Sequence, residues 1–144
     1  MNTEELIQLA YRRYKRDDLA GAIDFYSQAI NLSPDNFFAF YHRGECFYYL
    51  RDLDNAIADF TTAIRLQPEY AETYEKRGIA YFEQHKLDFG QQDFDQVDLH
   101  NPVRFLELGR LSRKSKDIYS ALSFFNAGIR LLEIWLNLDR HWKL

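Results

Sequence analysis

Ala56-Ile57-Ala58-Asp59-Phe60-Thr61-Thr62-Ala63-Ile64-Arg65-Leu66-Gln67-Pro68 carries the clearest structural signal in the chain. Its apolar residues return every three or four positions, the period of one face of a helix, and Pro68, which has no N–H to donate, stops that helix. The pattern repeats on either side, as Ala22-Ile23 to Ala29-Ile30-Asn31-Leu32 before Pro34 and as Phe94 to Val97-Asp98-Leu99 before Pro102. Pro34, Pro68 and Pro102 are the only prolines in the chain and stand at two equal intervals, so the chain is built from an internal repeat.

A second helical pattern lies between successive prolines. Small residues occupy matching places in it: Ala10, Gly44 and Gly78 in the first helix of each unit, and Ala22, Ala56 and Gly90 in the second. Small residues let helices approach closely, and Phe40, Phe47, Phe60, Tyr74, Tyr81 and Phe94 around them supply the apolar mass for packing within and between hairpins. Arg16-Asp17-Asp18-Leu19 and Arg51-Asp52-Leu53-Asp54 are the turns between paired helices and supply acidic caps. A fourth unit has a shortened register, because Gly109, Ala121 and Phe125 follow Gly44, Ala56 and Phe60 at slightly less than two full intervals, with the deficit placed near Asn101-Pro102. The spacing predicts helices near 3–15, 19–32, 36–50, 53–66, 70–84, 87–99, 103–115 and 118–140. The result is one all-α domain over 1–144, with repeats near 3–36, 37–70, 71–101 and 102–133 and a C-terminal extension or cap over 134–144.

Composition narrows the function. A formal charge of −4 gives no general attraction to phosphate backbones, which argues against nucleic acid as partner. Hydrophobic residues make up 47% and aromatics 17%, too rich for a disordered chain. The start, Met1-Asn2-Thr3-Glu4-Glu5, is polar and acidic rather than a secretory signal, so a cytoplasmic location is expected. The most apolar run, Ile129 to Leu138, is broken by Arg130, Glu133 and Asn137 and is too short to span a bilayer. Cys46 is the single cysteine, which rules out a disulfide framework or a CxxC knuckle and leaves a small buried residue. His42, His85, His100 and His141 are scattered, and no phosphate loop, HExxH or GxSxG motif occurs; no metal, cofactor or enzymatic activity is expected.

A helix-turn-helix unit of this period, with these small residues, a second-helix aromatic and a closing proline, resembles the tetratricopeptide repeat family. The resemblance covers residues 3 to 133. Gly44, Phe47, Ala56, Phe60, Ala63 and Pro68 follow the family pattern, whereas Gly90 and Val97 stand where alanines are usual. In the outer units Arg13 and Ser112 replace the aromatic seen at Phe47 and Tyr81, as suits the ends of a stack. The resemblance implies an α-solenoid, a right-handed superhelical stack of antiparallel helix pairs, that binds another protein or a peptide.

The repeats also serve as related samples of one environment. Arg43 and Arg77 precede the mid-helix glycine where Leu9 and Leu108 sit in the outer units, and Asp59 and Asp93 precede the second-helix aromatic where Phe25 and Phe124 sit. The two slots change together, so they touch. Ion pairs are expected between Arg43 and Asp59 and between Arg77 and Asp93, or between Arg77 and Asp59 across the repeat boundary, with independent solvated charges as the alternative.

In the family that the chain resembles, the first helices line a concave groove. By that resemblance Ile7, Tyr11 and Tyr14, then Phe38, Tyr41, Tyr48 and Tyr49, then Ile79 and Phe82 face the ligand, while Phe40 and Phe47 follow the core. Glu72, Glu75 and Glu83 add acidity and Arg110, Arg113 and Lys114 a basic end. Tyrosines offer rigid contact with a polar tip, which suits a peptide with apolar anchors; the alternative is that they only pack against one another. Some relatives hold a carboxylate-ended chaperone tail with a basic clamp, whose slots here are Ile7, Tyr11, His42, Glu72 and Lys76. Only Lys76 is reliably cationic, which argues against such tails. The last helix is apolar on most sides, and Leu131, Trp135, Leu138 and Trp142 mark an alternative role as a homo-oligomer interface or a cap. A helical-repeat RNA binder is the third reading and needs a basic inner face, which the acidic third repeat opposes.

Overall fold

The computed structural model describes residues 1–97 together with Gly128, Ile129, Leu132 and Leu136. Between residues 1 and 97 the elements are α1 (Thr3–Lys15), α2 (Leu19–Leu32), α3 (Phe37–Tyr49), α4 (Leu53–Leu66), α5 (Ala71–Glu83) and α6 (Leu87–Phe94), with no strand among the described residues. The pairs α1/α2, α3/α4 and α5/α6 form hairpins, α2 packs on α3 and α4 on α5, and α3 also meets α5 directly. The first helices of successive repeats therefore stand side by side on one face of an α-solenoid.

The helix ends follow from local chemistry. Asn2 caps α1 in a reciprocal arrangement with Glu5, and Asp18, Asn36 and Asp52 accept from Gly21, Ala39 and Asn55 to cap α2, α3 and α4. Helices α2 and α4 stop two residues before Pro34 and Pro68. Each hairpin turn passes through a left-handed residue, Asp17, Arg51 or His85, at φ of 62°, 66° and 59°. At the first turn the Asp18 N–H reaches back to the Arg13 carbonyl and the Asp17 N–H to that of Tyr14, and the next two turns repeat this pairing.

The core runs along the stack and is centred on the second-helix aromatic of each repeat: Tyr26, Phe60 and Phe94 are fully buried. A Cβ on Gly44 would stand 2.8 Å from the Phe60 ring, and one on Gly78 would stand 2.9 Å from that of Phe94, so the glycines create the space that the rings fill. Gly90 acts similarly for Phe82, whose ring a Cβ there would meet at 2.8 Å. That contact accounts for a glycine where the family pattern has alanine.

One expectation changes. Helix α6 ends at Phe94 rather than near residue 99, because Gln96 and Val97 donate to the carbonyls of Asp93 and Phe94 and tighten the chain into turns. Gly90 inside this short helix and the β-branched Val97 just beyond it both weaken helical continuation. Phe40 and Phe47 pack against the core as expected but stay half-buried, since their rings flank the Arg43 guanidinium at 5.6 and 5.8 Å. The fourth repeat apart from Gly128, Ile129 and Leu132, including Pro102 and the pair Leu108 and Phe124, and the interface residues Leu131, Trp135, Leu138 and Trp142 lie outside the described residues.

Candidate binding groove

The arginine–aspartate pairs form within repeats. Arg43 donates from Nε and Nη2 to both carboxylate oxygens of Asp59 at 2.8 Å, and Arg77 does the same to Asp93 at 2.8 and 2.6 Å. The remaining Nη1 reaches back to the previous repeat, from Arg43 to Ser27 Oγ at 3.0 Å and from Arg77 to Thr61 Oγ1 at 3.1 Å. Each guanidinium thus ties three helices together, and Arg77 meets Thr61, not Asp59, across the boundary. Burial pushes the Asp59 carboxyl above its ordinary value against the pull of Arg43. Hydrogen bonding to Asp93 raises Arg77 and keeps it charged. These pairs thereby fasten each repeat to the one before it.

On the inner face α1 and α3 enclose a depression of about 680 Å³. Glu4, Ile7, Gln8, Tyr11 and Arg12 line it from α1, Phe38 and His42 from α3, and Tyr26 of α2 is among its lining residues. His42 stacks on Tyr26 and on Phe38, with ring centroids 6.0 and 6.5 Å apart, and meets the edge of Tyr11. The Tyr26 hydroxyl is buried with no hydrogen-bond partner among the described residues. Phe60 and Phe94 fill the equivalent slots without a hydroxyl, so Tyr26→Phe is expected to leave stability unchanged or raise it by about 1 kcal/mol. A urea titration showing a loss of that size instead would mean that the hydroxyl has a partner.

The expected groove residues divide by exposure. Tyr11, Phe38, Tyr49 and Glu72 are exposed, Phe38 at 55%, while Ile7, Tyr14, Tyr48, Glu75 and Ile79 are half-buried. Tyr41 and Phe82 contribute almost no surface, at 6% and 5% exposure. Tyr41 is covered because the turn into α5 brings Tyr70 within 5.8 Å of its ring, with Phe37 and Phe60 on other sides. Phe82 is drawn inward onto Phe94 by the missing side chain of Gly90. Arg110 lies outside the described residues.

Between α3 and α5 the inner face is held by charge. The Tyr48 hydroxyl and Arg51 both donate to Glu83, and His42 and Lys76 both contact Glu45. Burial works against the Glu45 carboxylate, but the His42 and Lys76 hydrogen bonds outweigh it and hold its pKa below the ordinary value. Burial likewise disfavours the Lys76 ammonium, and Glu45 more than offsets it, so Lys76 is raised. This cluster did not show in the sequence, whereas the arginine–aspartate pairs did, through the joint change of their two slots; the Ser27 and Thr61 hydroxyls, one repeat apart like their arginines, were a legible signal for the cross-repeat bonds. Burial also pushes the Cys46 thiol up to about 12, which suits packing rather than thiolate chemistry. Among the described residues no group of three or more His, Cys, Asp or Glu side chains could hold a metal ion, and no helix is long and apolar enough to cross a membrane.

The family model for the TPR repeat matches residues 10–50 and 44–84, two overlapping windows offset by the same interval as the prolines. The chain belongs to the tetratricopeptide repeat family. Solved structures share the TPR fold at low identity. MamA 41-end from Desulfovibrio magneticus RS-1 is 20% identical with a TM-score of 0.73, over 92% of this chain and 76% of that one. The first TPR of Spaghetti (RPAP3) bound to the HSP90 peptide SRMEEVD is 20% identical with a TM-score of 0.66, over 92% and 94%. The second TPR of the same protein, bound to the same peptide, is 24% identical with a TM-score of 0.65, over 67% and 90%. No curated protein sequence matches the chain.

Proposed function

We propose that this TPR protein is an interaction scaffold that holds a peptide or a segment of a partner protein along the inner face of α1, α3 and α5. The observation that carries this reading is the depression beside exposed Tyr11 and Phe38, because large apolar rings left in water next to a concavity are a poor arrangement unless something covers them. The fold supports it too, since TPR domains of similar shape have been solved with a peptide bound. A protein partner fits better than nucleic acid, because Glu4 and Glu72 add negative charge to this face. No catalytic role is assigned to it.

Phe38→Asp in the intact chain tests the reading, since Phe38 is exposed and its loss leaves the core in place. Partner recovered in a pull-down is expected to fall by roughly tenfold or more, the scale of a hot-spot residue, with the helical circular dichroism unchanged. Undiminished recovery would refute the groove. Tyr41 is unsuitable for this purpose because a charge there would enter the core. A second reading, self-association through the C-terminal helix, is favoured by Ile129 and Leu136, which are seven positions apart and 48% and 58% exposed. Light scattering on Leu136→Asp separates the two: a fall in mass supports self-association, and an unchanged mass leaves the inner face as the interaction surface.

A further inference from the structure

Glu45 occupies the slot that Tyr11 fills one repeat earlier and Ile79 one repeat later. Packing at this slot therefore does not call for a carboxylate. The Glu45 side chain is nevertheless only 12% exposed, with His42 Nδ1 donating to Oε2 at 2.8 Å and Lys76 Nζ to Oε1 at 2.9 Å. Those two donors come from the same slot of successive repeats, and both point at one internal anion. Arg51, just past the end of α3, is engaged in turn by Glu83 of α5.

We propose that Glu45 is a resident counter-anion that fills the cationic subsite of the groove, so that the groove rejects partner segments rich in carboxylates and accepts neutral ones. The proposal rests on the groove reading given above. An incoming carboxylate would have to displace Glu45 from Lys76, leaving a mostly buried charge with only His42 beside it, and would also face Glu72 on the same inner surface. A neutral segment leaves the Glu45–Lys76 pair in place and meets no such opposition. Discrimination of this kind works through a repulsive element rather than through stronger contacts to the favoured partner.

Isothermal titration of the intact chain with the synthetic peptide SRMEEVD is the test. Wild-type protein is expected to give no measurable binding. Glu45→Gln keeps the shape of the side chain and removes its charge, and is expected to bind measurably, at least about tenfold more tightly than the weakest affinity at which wild-type binding would have been detected, since a like-charge contact across an interface strongly disfavours binding. Adding Lys76→Ala should abolish the gain, and raising the salt concentration should weaken it. Glu45→Ile, which copies the neighbouring repeat, provides a second variant should Glu45→Gln not fold. Wild-type binding as tight as that of the variant, or a folded variant that stays silent, overturns the proposal. Failure of the groove reading has a different mark, namely full partner recovery by Phe38→Asp.

Discussion

Phe60→Ala is expected to lower the free energy of unfolding by about 3–5 kcal/mol, the range for truncating a fully buried aromatic in a core that cannot collapse around the loss. Phe60 has no exposed surface, rests on the bare backbone of Gly44 and packs with Phe37, Tyr41, Ala56 and Ala63. The glycine beneath it cannot reach into the cavity, and Tyr41, which touches both Phe60 and Tyr70 at the turn into α5, loses its support. In a stack whose units are stable only against their neighbours, damage to the second repeat also separates the first from the third. Urea denaturation followed by circular dichroism measures the loss. Phe89→Ala, at a ring 55% exposed and stacked on Tyr81, should cost no more than about 1 kcal/mol, and similar losses for the two would show that the core is not centred on Phe60.

The second large effect concerns the internal ion pairs. Asp59→Ala should destabilise the chain by about 2–3 kcal/mol, because Arg43 then keeps its bond to the Ser27 hydroxyl but loses both bonds to the carboxylate; its partial exposure keeps the cost below that of a fully buried orphan charge. Arg43→Leu should do comparable damage by stranding a nearly buried carboxylate. The double variant Arg43→Leu/Asp59→Phe installs the residues that the first repeat carries at Leu9 and Phe25, and should fall within about 1 kcal/mol of wild type. Burial already opposes ionisation of Asp59, so removing both charges also removes that cost. A double-mutant cycle measures the coupling, and losses that simply add would show that the two slots do not interact.

Much of this structure was legible in the residues. The proline interval marked the repeat, the small residues marked the close helix crossings, and the joint change at the Arg43 and Asp59 slots marked a contact, because repeated units sample the same environment several times in one chain. The acidic caps at Asp18 and Asp52 followed from their places before an apolar period. The burial of Tyr41 and Phe82 was not legible in this way. One helix's periodicity tells which residues share a face but not which faces the next repeat will cover, and α3 is covered from several sides.

The helical period, the hairpin turns, the residues that stack and the pairing of charge with charge could all be read from the order of residues, since each depends on neighbours within a turn of helix or on the recurrence of a single unit. Tertiary structure alone decided which repeat each arginine would join, which tyrosines would stay in water and that Glu45 would take up both His42 and Lys76. Those outcomes depend on the angle and separation at which one hairpin settles on the next, and that geometry comes from the packing of whole helices rather than from any local run of residues.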